Sequence, residues 1–158
     1  MTAASNLNPT LRVSDMMTPY PVTCGTSASM NAVIRAMFKY GCNALLVVDG
    51  TGRLTGVLSE RDVCRAMLAH GSALLELTVK DVIGHQVFSC SPNDSLECAA
   101  DLMRDLHITL LPVTDGQGRP VGVLSIDEVL PELVYSPLSH FDREAIRTFA
   151  TLCDSHPH

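Results

Sequence analysis

The chain repeats itself. Sliding the 158-residue sequence over itself by 66 positions lays residues 13–64 on residues 79–130 without a gap, and 16 of these 52 pairs are identical. The matches include Val13/Val79, Asp15/Asp81, Cys24/Cys90, Met37/Met103, the turn residues Asp49-Gly50 and Asp115-Gly116, and the strings GVLS at 56–59 and 122–125. Composition alone would give about three matches over such a span, so the two segments are a duplication. Two copies are too few for a solenoid. Each has an apolar face to bury, and each can cover the other.

Both copies read as β-α-β-β-α. A short strand is expected at 21–24 and at 87–90. A helix follows, with Met30, Val33, Ile34, Met37 and Phe38 at helical spacing in the first copy and Leu96, Ala99, Ala100 and Met103 in the second. Gly41 is placed to end the first helix in a left-handed conformation. The next strand is ALLVVD at 44–49 or TLLPVTD at 109–115. The turn DGTGR or DGQGR leads into LTGVLS or PVGVLS, and a second helix starts at Ser59 or Ser125. In the second copy that helix meets Pro131, which predicts a short or kinked helix. The reading divides the chain into an N-terminal arm at 1–12, a first repeat at 13–71, a second at 79–134 and a C-terminal helix at 139–153. Residues 1–11 and 154–158 are expected to be loose.

Charge and composition narrow the partners. With 11 basic and 17 acidic residues the net charge is −6, so nothing draws the chain as a whole to nucleic acid or to an anionic membrane surface. The first dozen residues have no apolar signal core, and the longest apolar run, 44–48, is far short of the ~20 residues that cross a membrane. On these features the protein is expected in the cytoplasm. The cysteines at 24, 42, 64, 90, 98 and 153 form no Cys-x-x-Cys pair, and are expected to be reduced.

GVLSERD at 56–62 is the segment with the most chemistry. A strand ends and a helix begins at Ser59, where the first amides lack internal partners and carry partial positive charge. Such a start suits an anion such as phosphate. Gly56 admits a ligand or another chain segment close to the backbone. Asp62 has two acceptor oxygens for the hydroxyls of a ribose, and Arg61 can add a charge-assisted bond to phosphate. These are the parts of a nucleotide site. Ser-x-x-Asp is equally a capping box, which stabilises a helix start without any ligand.

The doubled order of motifs resembles a tandem pair of CBS domains, the cystathionine-β-synthase type. The resemblance is carried by VSDMMT at 13–18, NALLVVD at 43–49 and GVLSERD, then by VKDVIG at 79–84, Leu111-Pro112-Val113 and GVLSIDE at 122–128. It implies an α/β fold of two β-α-β-β-α repeats packed through their sheets around a pseudo-twofold axis. It also implies clefts for an adenosine compound (AMP, ADP, ATP or S-adenosylmethionine) as a regulatory ligand, with no other cofactor. A homodimer and an unidentified regulated protein partner are further implications. Carried over residue by residue, Asp62 binds ribose and Ser59 lies near phosphate, with Gly56 and Arg61 beside them. The adenine is expected near Thr18, Pro21, Val22, Asn43 and Ala44. In the second copy Ser125 matches Ser59, but Glu128 replaces the ribose aspartate and Asp127 replaces Arg61. That cleft is expected to be weaker, altered in specificity or empty.

Other residues carry less. No His-x-x-x-His or nucleophile–base motif stands out, so a binding and regulatory module is favoured over an enzyme. Two alternatives remain open: a docking or dimerisation module with empty clefts, and a thiol sensor built on Cys24, Cys42 or Cys90. His107, aligned with Gly41, is expected at a helix end.

Overall fold

The structure is a computed structural model that describes residues 11–84 and 86–134. The chain runs through α1 (Val13–Met16), β1 (Thr18–Pro19), β2 (Thr23–Gly25), α2 (Met30–Tyr40), β3 (Ala44–Val48), β4 (Leu54–Ser59) and α3 (Glu60–His70). After a 3-10 turn at Gly71–Glu76 come α4 (Val79–Val82), α5 (Leu96–Leu106), β5 (Leu110–Thr114), β6 (Pro120–Ser125) and α6 (Ile126–Val134). The expected helix at 139–153 lies outside the described residues.

The long helices start and stop for legible reasons. The Ser29 hydroxyl accepts the amide of Ala32 at 3.1 Å, and the Ser95 hydroxyl accepts that of Cys98 at 3.1 Å. Each satisfies an amide that has no partner inside the helix. Gly41 ends α2 at φ 62°, and His107 ends α5 at φ 54°. The histidine takes a left-handed conformation that disfavours any residue with a Cβ, at a cost of about 1 kcal/mol. Pro131 does not stop α6, which continues through it to Val134, the last described residue.

Two three-stranded sheets form, β2-β3-β4 and β1-β6-β5. In the first, β2 is parallel to β3, and β3 is antiparallel to β4. In the second, β5 and β6 are antiparallel in the same register as their counterparts. The expected strand at 87–90 is reduced to a single parallel bridge between Cys90 and Val113. The other outer strand there is β1, which pairs Thr18 with Val123 and Pro19 with Gly122.

That pairing shows how the copies are joined. Residues 11–19 lead the first copy in sequence but dock on the second. Val13 and Ser14 donate backbone bonds to Asp94 and Pro92, and Leu11 accepts one from Leu96, at 2.8–3.0 Å. The equivalent leader of the second copy docks on the first in the same way: Val79 and Lys80 donate to Ala28 and Thr26, and Leu77 accepts from Met30. Val13 is wholly buried in the core built from α5, β5, β6 and α6, while Val79 is wholly buried in the core built from α2, β3, β4 and α3. Each burial contributes about 1.5–3 kcal/mol to holding the two copies together. Leu11, expected to be loose, is therefore held by the second copy.

One core expectation fails. Met30, Val33 and Met37 are buried, yet Phe38 is 92% exposed. Helical spacing at its margin left Phe38 on either face, and the core stops at Met37. The four second-copy positions Leu96, Ala99, Ala100 and Met103 are all buried.

Candidate functional site

At the first copy, β4 delivers Ser59 to the start of α3. The Ser59 amide and hydroxyl both donate to Asp62 Oδ2, at 2.8 and 2.7 Å, and the Ser59 oxygen accepts the Asp62 amide at 3.3 Å. The capping box is thus formed. It also fixes the carboxylate in one orientation. Asp62 Oδ1 lies 3.9 Å from Arg65, and the aspartate side chain keeps 30% of its surface open to solvent. An ion pair this long with so exposed an arginine contributes little stability. A prepositioned, half-open carboxylate at a helix start can accept two hydroxyl protons from a ligand.

β3 brings Asn43 and Ala44 to the same end. Ala44 pairs with Ser59, and the Glu60 amide donates to the Asn43 carbonyl at 2.9 Å. Arg61 is exposed and makes no hydrogen bond or ion pair among the described residues. Val22 packs on the first core and accepts the Leu46 amide through its carbonyl, while Pro21 is half-buried beside it.

Thr18 stands elsewhere. Its hydroxyl donates to Glu128 Oε1 at 3.1 Å. The structure therefore groups Thr18 with the second copy's helix start, not with Ser59 and Asp62. The second start is built differently from the first. Ser125 and Glu128 form no capping box; the longer glutamate reaches across to the first copy's leader instead. Its other oxygen, Oε2, is buried without a hydrogen-bond partner. Asp127 is exposed.

The two glycines of GVLS are explained by the leaders. A Cβ on Gly56 would meet Ile83 Cδ1 at 3.0 Å. A Cβ on Gly122 would meet Met17 Sδ at 2.8 Å and the Thr18 carbonyl oxygen at 3.0 Å. Met17 and Ile83 correspond under the 66-residue shift. In each copy the glycine admits the other copy's leader, so close approach here is by protein.

A cavity of about 180 Å³ lies between α3 and α4, lined by residues that include Asp62, Arg65, His70, Asp81 and Val82. It is smaller than the roughly 300 Å³ at which small-molecule pockets begin. Among the described residues no three His, Cys, Asp or Glu side chains gather as metal ligands.

The matched thiols of Cys24 and Cys90 are shifted away from activation. Burial pushes the Cys90 thiol up to about 11, with Asp94 adding to the effect, and burial raises Cys24 as well. A reactive thiol needs the opposite shift. No helix among the described residues is long and apolar enough to cross a membrane.

Repeat, crossed leaders and paired helix starts define a two-copy α/β unit, and comparison with known proteins identifies its kind. The sequence profile of the CBS domain matches residues 13–69 and 79–135, and the chain belongs to the CBS-domain family. The homoserine O-acetyltransferase of Methanocorpusculum labreanum is 33% identical over 125 residues, which are 76% of this chain and 25% of that protein. The chain spans about a quarter of the length of the curated relatives it matches. The cytosolic domain of the Mg2+ channel MgtE, solved in complex with ATP, is similar at TM-score 0.65 and 31% identity, over 74% of this chain and 46% of that one. The CBS domain pair of protein MJ0100, solved with 5′-methylthioadenosine and S-adenosylmethionine, is similar at TM-score 0.71 and 22% identity, over 80% and 98%. The latter likeness is one of fold.

Proposed function

We propose that the chain is a regulatory module that binds an adenosine compound at the start of α3 and passes the binding event on by changing the angle between its two copies. The observation that carries this reading is the Asp62 carboxylate, held in place by Ser59 and still 30% exposed. Asp62 would accept the ribose hydroxyls, the positive end of α3 and the exposed Arg61 would face phosphate, and the Asn43–Ala44 edge would lie along the base. The adenosine ligands of similar CBS structures support the ligand class. Acetyl transfer is not carried over, because the match covers only a quarter of the acetyltransferase; the module works by binding. A ligand shifts the angle only by its differential affinity for the two arrangements.

Calorimetric titration with AMP, ATP and S-adenosylmethionine tests the site. Binding near one equivalent is expected, weakened roughly hundredfold or more by Asp62→Ala as two charge-assisted bonds are lost. The variant also loses a cap worth about 1 kcal/mol, so it is titrated well below its melting temperature. Binding that survives the substitution rejects the site. Scattering profiles unchanged by saturating ligand reject the angle change.

A second reading rests on the helix surface. Phe38 on α2 is 92% exposed and Leu68 on α3 is 90% exposed. Position 104, the second-copy counterpart of Phe38, is an arginine paired with Asp101 and Asp105. We propose that the exposed first-copy helices form a homodimer contact, which serves equally a docking module with empty clefts. Phe38→Arg is expected to convert a dimer to a monomer in sedimentation velocity; an unchanged mass would place any dimer contact elsewhere.

A further inference from the structure

The two helix starts differ at two positions at once. The first copy has Asp62, and the leader crossing it has Gly84 at the place of Thr18. The second copy has Glu128, and the leader crossing it has Thr18, whose hydroxyl bonds that glutamate at 3.1 Å. A longer carboxylate and an added hydroxyl occur together in one copy, and both are missing from the other.

Access follows the same division. Asp62 keeps 30% of its side-chain surface open. Glu128 Oε2 is buried, with no hydrogen-bond partner, and its Oε1 is taken by Thr18. The leader is tighter there as well. Met17 and the Thr18 carbonyl crowd Gly122, and β1 adds a strand to β6, whereas the one tight approach to Gly56 is by the tip of Ile83. A ligand approaching the second carboxylate meets one oxygen already buried and the other already bonded to this leader.

We propose that the Thr18–Glu128 contact is an autoinhibitory latch, by which the leader of the first copy closes the second copy's helix start and leaves the chain with one nucleotide site instead of two. This rests on the reading that the first copy binds an adenosine compound. The latch explains why Glu128 forms no capping box with Ser125: its carboxylate is spent on the other copy's leader. It also ties the N-terminal leader to the state of the second helix start, so displacing the leader would expose a second site.

The test counts sites. Thr18→Gly combined with Glu128→Asp gives the second copy the pair found in the first. Wild type and variant are titrated with AMP, ATP and S-adenosylmethionine. One equivalent in wild type and two in the variant is the expected result. One in both overturns the latch and leaves the first-copy site standing; two in wild type overturns it also. None in wild type and one in the variant upholds the latch and removes the first-copy reading. If neither protein binds, the nucleotide reading fails and amide hydrogen exchange on Thr18→Val decides the latch. This variant keeps the β-branched shape and loses only the donor. Peptides covering residues 11–18 are expected to exchange about tenfold faster than in wild type. Unchanged exchange would mean that the bond holds nothing closed.

Discussion

The two copies share a backbone plan but have been given different tasks at the same address. In the first, a short aspartate turns inward to cap its own helix and remains accessible. In the second, a glutamate one methylene longer turns outward to a threonine from the other copy, and one of its oxygens is sealed in. A duplication preserves the fold as long as each copy still buries its partner's leader. The carboxylate is not part of that requirement, so it is free to diverge. The helix surfaces diverge likewise, with an exposed Phe38 in one copy and a paired Arg104 in the other.

The matched cysteines offer the widest contrast. Cys90 is 6% exposed and its thiol is pushed up to about 11; Cys24 is raised too but stands half-buried. At about pH 8 an ordinary thiol with a pKa of 9.0 has roughly a hundredfold more thiolate than Cys90. Timed alkylation read by mass spectrometry should label the exposed Cys64 and Cys98 first, Cys24 later and Cys90 last, at least about a hundredfold behind Cys98. Labelling of Cys90 as fast as Cys98 would reopen the thiol-sensor alternative.

A smaller difference separates the two glycines. Gly122→Ala drives a Cβ against backbone at 3.0 Å as well as against Met17, so something rigid must move. The one tight contact of Gly56→Ala is with the end of a flexible isoleucine. We expect Gly122→Ala to lower unfolding free energy by about 1–3 kcal/mol, in the usual range for overpacking, and Gly56→Ala by less than about 1 kcal/mol. Equal losses in denaturant melts would show that the two leaders are seated alike.

Much of this was legible in the chain. The 66-residue shift gave the β-α-β-β-α order and the strands read at 44–49 and 109–115, and Ser-x-x-Asp gave the capping box at Ser59. These depend on local spacing, which a sequence carries openly. The crossing of the leaders was not legible. Val13 and Val79 are identical whether each serves its own copy or the other, and only tertiary contact decides. Thr18 was misgrouped for the same reason: its nearest site in sequence is not its nearest in space. Phe38 shows a different limit. A residue on the edge of an apolar stripe is placed by where the neighbouring sheet ends.

The smallest effect tests the part of the two copies that changed least. Each β-turn is organised by an aspartate. Asp49 Oδ1 accepts the Thr51 amide and hydroxyl and the Arg53 amide; Asp115 Oδ1 accepts the Gln117 and Arg119 amides. These bonds favour the ionised form and hold both carboxyls below their ordinary value, the Thr51 hydroxyl first among the causes at Asp49. A carboxyl depressed in the folded state stabilises it fully above the unfolded pKa, and that contribution is lost as pH falls through the folded value. The melting temperature should therefore drop as pH is lowered below about 4. Asn retains a carbonyl acceptor but does not titrate, so Asp49→Asn and Asp115→Asn should each flatten the drop. The effect should be larger at Asp49, which has the extra hydroxyl bond. Both groups are solvent-exposed, so the change is small and is read from the slope of melting temperature against pH. Slopes parallel to wild type would mean that the turns are held by their glycines and backbone alone, and that the added bond at Thr51 does not distinguish the first copy from the second.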